Sequence, residues 1–369
     1  MFDLAQRIAG VIEYNPRMQL ISKIIADFKL GASMHLINKF CIGSVALLLL
    51  LCKAAHADDT PRPEKGFMDG FRLGGYASAG IAIPRGSETT AAINEISMIL
   101  TWENESRFKF FSELELENPI SWDDDNKFNT KQSYIDLERF YLDYNLSDKI
   151  NLRGGRFLTP TGRWNQLHAS PLVWTSSRPV ATSRLFPTAT NGVMAFGAVP
   201  LENSAIEYSI FIETLKDIDE DDDELKFRNT KGARISFGQQ ANIGVNLLSF
   251  DERAISNTRY HLLGLDFITH HRGIEFLGEA FQRWDSHNNT SGYGAYLQTA
   301  IPLPIGTNWF GIARIETFHR PDEGHHQRWL IGTTWRVKPT QLLKLEFTGG
   351  SADQPESPRG FLASFAVLF

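Results

Sequence analysis

Apolar and polar residues alternate along most of the chain, and turn residues break the alternation at intervals. A period of two is that of a β-strand, whose side chains point to opposite faces in turn. The pattern predicts sixteen strands: 70–83, 93–103, 107–117, 133–145, 150–158, 191–200, 205–213, 231–238, 241–250, 259–270, 273–284, 291–302, 307–318, 326–337, 342–349 and 360–369. Most are 8 to 13 residues long, which brackets a tilted strand crossing an outer membrane and exceeds the usual globular strand. In 107–117, Phe108, Phe110, Leu114 and Leu116 oppose Arg107, Lys109, Glu113, Glu115 and Glu117. In 342–349, Leu343, Leu345 and Phe347 oppose Lys344 and Glu346; further up, Trp329, Ile331, Thr333, Trp335 and Val337 oppose Arg328, Thr334 and Arg336. Trp102, Trp284, Trp309 and Phe369 stand at strand ends, where an interfacial aromatic girdle belongs. A two-layer β protein with aromatic core positions shares some of these features. Charge alternating through so many strands favours a barrel wide enough for a wet interior.

The links between strands fall into two alternating classes. After every even-numbered strand the link is short, as in Asn104-Glu105-Ser106, Gln239-Gln240 and His271-Arg272. The intervening links are mostly longer and more polar, including 118–132, 159–190, 214–230 and 350–359. A barrel with both termini on one side of a membrane puts odd and even links on opposite sides, so the short ones read as periplasmic turns and the long ones as extracellular loops. The sequence thus predicts an all-β fold, a 16-stranded antiparallel transmembrane β-barrel over 70–369, with the third extracellular loop folded inward.

Both chain ends agree with this expectation. Phe361, Ala363, Phe365, Val367 and Phe369 alternate with Leu362, Ser364, Ala366 and Leu368, so the last strand ends on the terminal carboxylate, ready to pair with the first. An aromatic final residue there resembles the C-terminal signal read by the barrel assembly machinery of bacterial outer membranes. Near the start, Lys39 precedes an apolar run from Cys41 to Cys52, followed by Ala55-His56-Ala57. This is the layout of a secretory signal peptide, too short to span a bilayer. Residues 34–57 are assigned to it, 1–33 to an upstream extension before Met34, and 58–69 to a short periplasmic segment; an N-terminal helix remains open from Leu20-Ile21 and Ile24-Ile25.

Removal of 1–57 takes away both cysteines, so neither a disulfide nor a thiolate metal site holds the mature chain together. The remaining 31 Lys/Arg and 40 Asp/Glu give a formal net charge of −9, a poor match for nucleic acid. No later segment has the apolar length of a transmembrane helix, so strands must make any crossing.

Candidate chemistry concentrates in the longest link. Residues 159–190 carry Arg163, Trp164, His168, Trp174, Arg178 and Arg184 among four prolines. A loop of that length without secondary-structure signals is usually functional. Folded inward, Arg163, Arg178 and Arg184, with His168 and Trp164, would form a pore constriction, and a ring of arginines favours anions. Pairing of those arginines with wall carboxylates such as Glu113, Glu115 or Glu138 would instead pin the loop. The lumen wall is expected to include Arg107, Lys109, Glu113, Glu115, Arg153, Lys344 and Glu346.

Sixteen-stranded porins fold their third loop inward, and this chain resembles them in strand count and loop position. More narrowly, Arg153-Gly154-Gly155-Arg156-Phe157-Leu158-Thr159-Pro160-Thr161-Gly162 resembles the strand-to-loop segment of porins of the phosphate-selective porin O and P type. That resemblance implies a trimeric, passive diffusion channel. Phosphate does not follow, because Arg153, Arg156, Arg234, Arg314 and Lys344 are scattered among Glu113, Glu115, Glu275, Glu279, Glu316 and Glu346 rather than forming a dense basic ladder.

Other constellations add little. The acidic run from Asp217 to Glu224 lacks the spacing and glycine of a calcium loop, and reads as a solvated tip. His319, His325 and His326 with Asp322 and Glu323 are weighed as transition-metal ligands and read as solvated, so no metal or cofactor is expected. No local motif marks a nucleophile, so the expectation is no enzyme. The reading is an outer-membrane porin for small hydrophilic solutes or ions, a homotrimer among membrane lipid and lipopolysaccharide. The alternatives are a plugged structural or adhesive barrel and a secreted soluble β protein.

Overall fold

Alternating strands that bury one face must find a partner on each edge, and this chain satisfies every edge by closing on itself. The structure, a computed structural model, describes residues 67–123, 125, 127–215, 227–238, 241–252, 258–351 and 358–369. The expected extension and signal peptide, most of 58–69, and the acidic run 217–224 lie outside the described residues. The strands are β1 (Phe71–Pro84), β2 (Thr90–Glu103), β3 (Phe108–Asp123), a three-residue β4 (Lys127–Asn129), β5 (Tyr134–Ser147), β6 (Ile150–Leu158), β7 (Ala189–Leu201), β8 (Ser204–Glu213) and β9 (Phe227–Gly238). They continue as β10 (Ala241–Glu252), β11 (Thr258–His271), β12 (Ile274–Asp285), β13 (Thr290–Pro302), β14 (Trp309–Arg320), β15 (Gly324–Lys338), β16 (Gln341–Gly350) and β17 (Gly360–Leu368).

Each long strand pairs antiparallel with its neighbours in sequence, β3 pairing directly with β5 while β4 only lengthens the β3 end. The ring closes where β1 meets β17, with Tyr76 opposite Leu368 and Pro84 opposite Gly360. Gly75 and Phe369 complete the seam by exchanging two backbone hydrogen bonds of 2.9 Å. The molecule is therefore a closed 16-stranded antiparallel β-barrel, as the alternation predicts. Strand bounds differ from the sequence reading mainly by extension. β15 reaches back to Gly324 and β14 on to Arg320, leaving only 321–323 as the link between them. Hairpin backbones continue to pair past the point where the apolar alternation ends, because unpaired N–H and C=O groups gain from pairing wherever the partner strand is present.

The barrel is inverted relative to a globular protein. Leu73, Ile135, Ile210, Ile315 and Ile331 are each more than 60 % exposed on the outside, whereas Glu113, Arg314 and Lys344 are at most 1 % exposed inside. Among the described residues no helix is long and apolar enough to cross a membrane; strands carry the apolar surface. Trp309 stacks on Trp335 at one end, centroids 5.2 Å apart, and Trp102 packs on Phe67 at 5.0 Å while its indole N–H donates to the Phe67 carbonyl.

Candidate functional site

The segment 159–188 between β6 and β7 begins and ends as a closed loop. The Thr159 N–H donates to the Thr188 carbonyl at 2.9 Å, and the Asn165 amide bridges the Thr159 and Thr188 carbonyls at 2.9 and 2.8 Å. Prolines and short 3-10 turns at Trp164–Gln166, Ser170–Leu172 and Val180–Thr182 replace regular structure. Several of its backbone donors turn back onto the loop's own carbonyls, and those of Arg163, Trp164, Ser176, Ser177 and Val180 are met by carboxylates that strands carry on their buried face.

Glu279 of β12 accepts from the N–H groups of Arg163 and Trp164 at 3.1 and 2.7 Å, and from the Tyr296 hydroxyl. Glu316 of β14 accepts from the Val180 N–H at 2.9 Å. Glu346 of β16 accepts from the Ser176 N–H and, at 2.6 Å, from the Ser177 hydroxyl. Cations serve the carbonyls: Lys344 Nζ donates to Ser170 and Thr175 at 2.7 and 3.1 Å, and Arg314 to the Ser177 carbonyl at 2.9 Å. Val180, Ala181, Leu185 and Phe186 of the loop also join Phe157, Met194, Phe211, Phe250, Phe281 and Phe318 of the strands in one buried apolar cluster. The ring of Phe186 lies 5.0 Å from that of Phe281.

Each expected constriction residue has a partner. Arg163 Nε lies 3.5 Å from Asp266 Oδ1, and burial pulls its guanidinium below the ordinary arginine value, with Asp266 opposing. Arg178 stays within the loop, donating to the Thr182 hydroxyl and carbonyl and the Asn165 side chain. Arg184 Nε lies 2.9 Å from Glu323 Oε1. His168 Nε2 is 3.1 Å from Glu138 Oε1, and Trp164 is buried beneath Arg314, whose guanidinium sits 6.0 Å from the ring centroid. Of the carboxylates expected to pin the loop, Glu138 takes the histidine, Glu113 pairs with Arg139 and Glu115 accepts from the Tyr76 hydroxyl.

The expected wall residues divide. Glu113, Glu115, Lys344 and Glu346 are buried, and Arg153 pairs with Asp143 at 2.7 Å while stacked between Tyr141 and Phe196. Arg107 lies in the turn before β3, exposed, and Lys109 is more than half exposed beside Glu103. Sequence reasoning named Glu279, Glu316 and Arg314 only as scattered charges and missed Asp266. Their inward strand parity was the available signal; their loop partners were not encoded locally.

Beneath the loop a cavity of about 420 Å³ is lined by Arg153, Phe196, Glu207, Tyr208, Arg234 and Gln166, among others. The weighed histidines separate. His326 stacks on Phe318, while His319 and His325 flank Tyr293 on the other face; no metal-ligating group of three exists among the described residues.

No protein-family model matches the chain. An uncharacterized protein of Aquifex aeolicus (strain VF5) is 30% identical over 147 residues, 39% of this chain and 32% of that protein, so the chain spans about a third of the curated relative it matches. Solved structures align over nearly their whole length. Salmonella typhi OmpF, in complex with daunomycin, gives a TM-score of 0.58 at 8% identity, covering 82% of this chain and 98% of that one. The anion-selective porin of Comamonas acidovorans gives 0.54 at 11% identity, over 81% and 98%. The fold is that of an outer-membrane porin. OmpT of Vibrio cholerae in its trimer form gives 0.55 at 6% identity over 81% and 99%. A barrel of this fold, with an apolar exterior and a polar interior, belongs in a bacterial outer membrane.

Proposed function

We propose that the chain is a passive diffusion channel for small hydrophilic solutes or ions, with 159–188 folded into the lumen as its constriction, and that it performs no covalent chemistry. The observation that carries this reading is the anchoring of one loop to alternate strands of one arc, β12, β14 and β16, through Glu279, Glu316, Glu346 and Lys344, and to β5 on the opposite side of the ring through His168 and Glu138, beside an open cavity of about 420 Å³. A loop held on that many sides narrows a pore and stays put. Arg163, Arg178 and Arg184 act in this reading as anchors, because each is engaged by a carboxylate or by the loop itself. The likeness to the phosphate-selective porin O and P type rests on 153–162, and the porin-fold neighbours support the broader class. A homotrimer follows the same likeness.

A second reading, the plugged barrel, draws on the apolar cluster between the loop and the strands, which removes part of the lumen from water. Single-channel recording of the purified chain in a planar bilayer separates the two. Stepwise openings support the channel, whereas a folded, heat-modifiable barrel without openings supports the plug.

A further inference from the structure

We propose that the cavity beneath the loop is a binding site for a small zwitterion, an amino acid or short peptide, whose carboxylate meets Arg153 and Arg234 and whose ammonium meets Glu207. The site needs only the cavity, so it is independent of whether the loop constricts or plugs the barrel. Strand register makes the hollow. In one row of inward positions Phe196 of β7 faces Ser209 of β8, and Ser209 faces Arg234 of β9. In the next row, toward the β7–β8 turn, Ala198 faces Glu207 and Glu207 faces Ser236. The small side chains at 198, 209 and 236 leave room between the charged ones, and a volume of about 420 Å³ suits a small solute. Ala198 and Glu207 are exposed, so water and solutes reach the hollow.

The groups around this hollow keep hydrogen-bonding capacity that the protein itself does not use. Arg153 is clamped between Tyr141 and Phe196 and gives Nε and Nη2 to Asp143, which leaves Nη1 without a partner among the described residues. Arg234 gives both terminal nitrogens to Asp266 and Asn246 and keeps Nε. Asp266 also receives Arg163, so one carboxylate serves two guanidiniums. Glu207 accepts only from the Ser236 hydroxyl, at 3.1 Å, and among the described residues no cation lies within ion-pair distance of it. Arg163 is within electrostatic reach of Glu207 but lies against Asp266. Elsewhere in this lumen opposite charges pair directly, as Arg139 does with Glu113 and Arg283 with Glu252. Here the guanidinium edges and the carboxylate stand on different strands with open space between them. A simple anion in that space meets Glu207, and a simple cation meets the arginines. A solute with both ends gains a charge-assisted hydrogen bond at each.

The test is isothermal titration of the folded, detergent-solubilised chain with glycylglycine, using acetate and ethylamine as single-charge controls. Glycylglycine should bind, and more tightly than either control. Glu207→Gln should weaken its binding about tenfold, the loss of one hydrogen bond to a charged group. Ala198→Trp, which fills the hollow from an exposed wall position, should abolish binding in a barrel that still migrates as heat-modifiable. No binding of glycylglycine to the unaltered chain, equal binding of acetate or ethylamine, or binding that survives Glu207→Gln undiminished overturns the site. None of these outcomes depends on channel openings, so the channel reading stands or falls separately.

Discussion

At the scale of single residues, the loop depends on positions where backbone shape and charge coincide. Gly162 sits at φ +64°, and a Cβ there would run into the Glu279 carboxylate that receives the next two backbone N–H groups. A left-handed conformation costs an L-residue about 1–2 kcal/mol before any clash. Gly162→Ala should therefore free the start of the loop, read as faster trypsin cleavage after Arg163 in the folded barrel. Glu346 is a comparable pivot, because hydrogen bonds to a charged group are worth about 1.5–3 kcal/mol each. In Glu346→Ala the Ser176 and Ser177 amides lose their acceptor, and their hydrogen exchange should rise about tenfold or more.

At the scale of elements, the loop is held as a packed body. Phe186 is fully buried against Phe281, and truncating such an aromatic costs about 3–5 kcal/mol. Phe186→Ala should leave the barrel heat-modifiable yet expose the bond after Arg184 to trypsin. The turn between β14 and β15 carries a pH-dependent clasp. Hydrogen bonding from Arg320 holds the Asp322 carboxyl below the ordinary aspartate value. A depressed folded-state value gives stability that is present above the unfolded aspartate pKa, about 4, and is lost as pH falls through the folded value. Protection of the Asp322 and Glu323 amides relative to their intrinsic exchange should fall below about pH 4, and Asp322→Asn should abolish that dependence. With much of the side chain in solvent, the effect is local.

At the scale of the whole molecule, stability rests on closure. The β1–β17 seam leaves no free edge, and a Cβ at Gly75 would strike the Ser97 carbonyl on the neighbouring strand. A chain ending at residue 359 would present two open edges in lipid, where unpaired backbone groups cost several kcal/mol each. It should fail to give a heat-modifiable band on a detergent gel, whereas Gly162→Ala and Phe186→Ala keep it.

Strand number and facing were legible because they are local. Leu343, Lys344, Leu345 and Glu346 announce two faces within four residues, and the tertiary structure honours that parity. The errors near turns have the same origin: Arg107 continues the alternation on paper but falls where the backbone has already left the strand. The loop was legible only as a feature. Its arginines do not meet Glu113, Glu115 or Glu138, but Asp266, Glu323 and the loop itself, because closure sets side by side residues more than a hundred positions apart. By itself, the sequence determined a closed barrel with an apolar outside and a charged inside, since a period of two needs only neighbours to express itself. Only the tertiary structure decided which charges neutralise each other and which strands hold the loop, since those depend on distances across a lumen that exists only once the ring has closed.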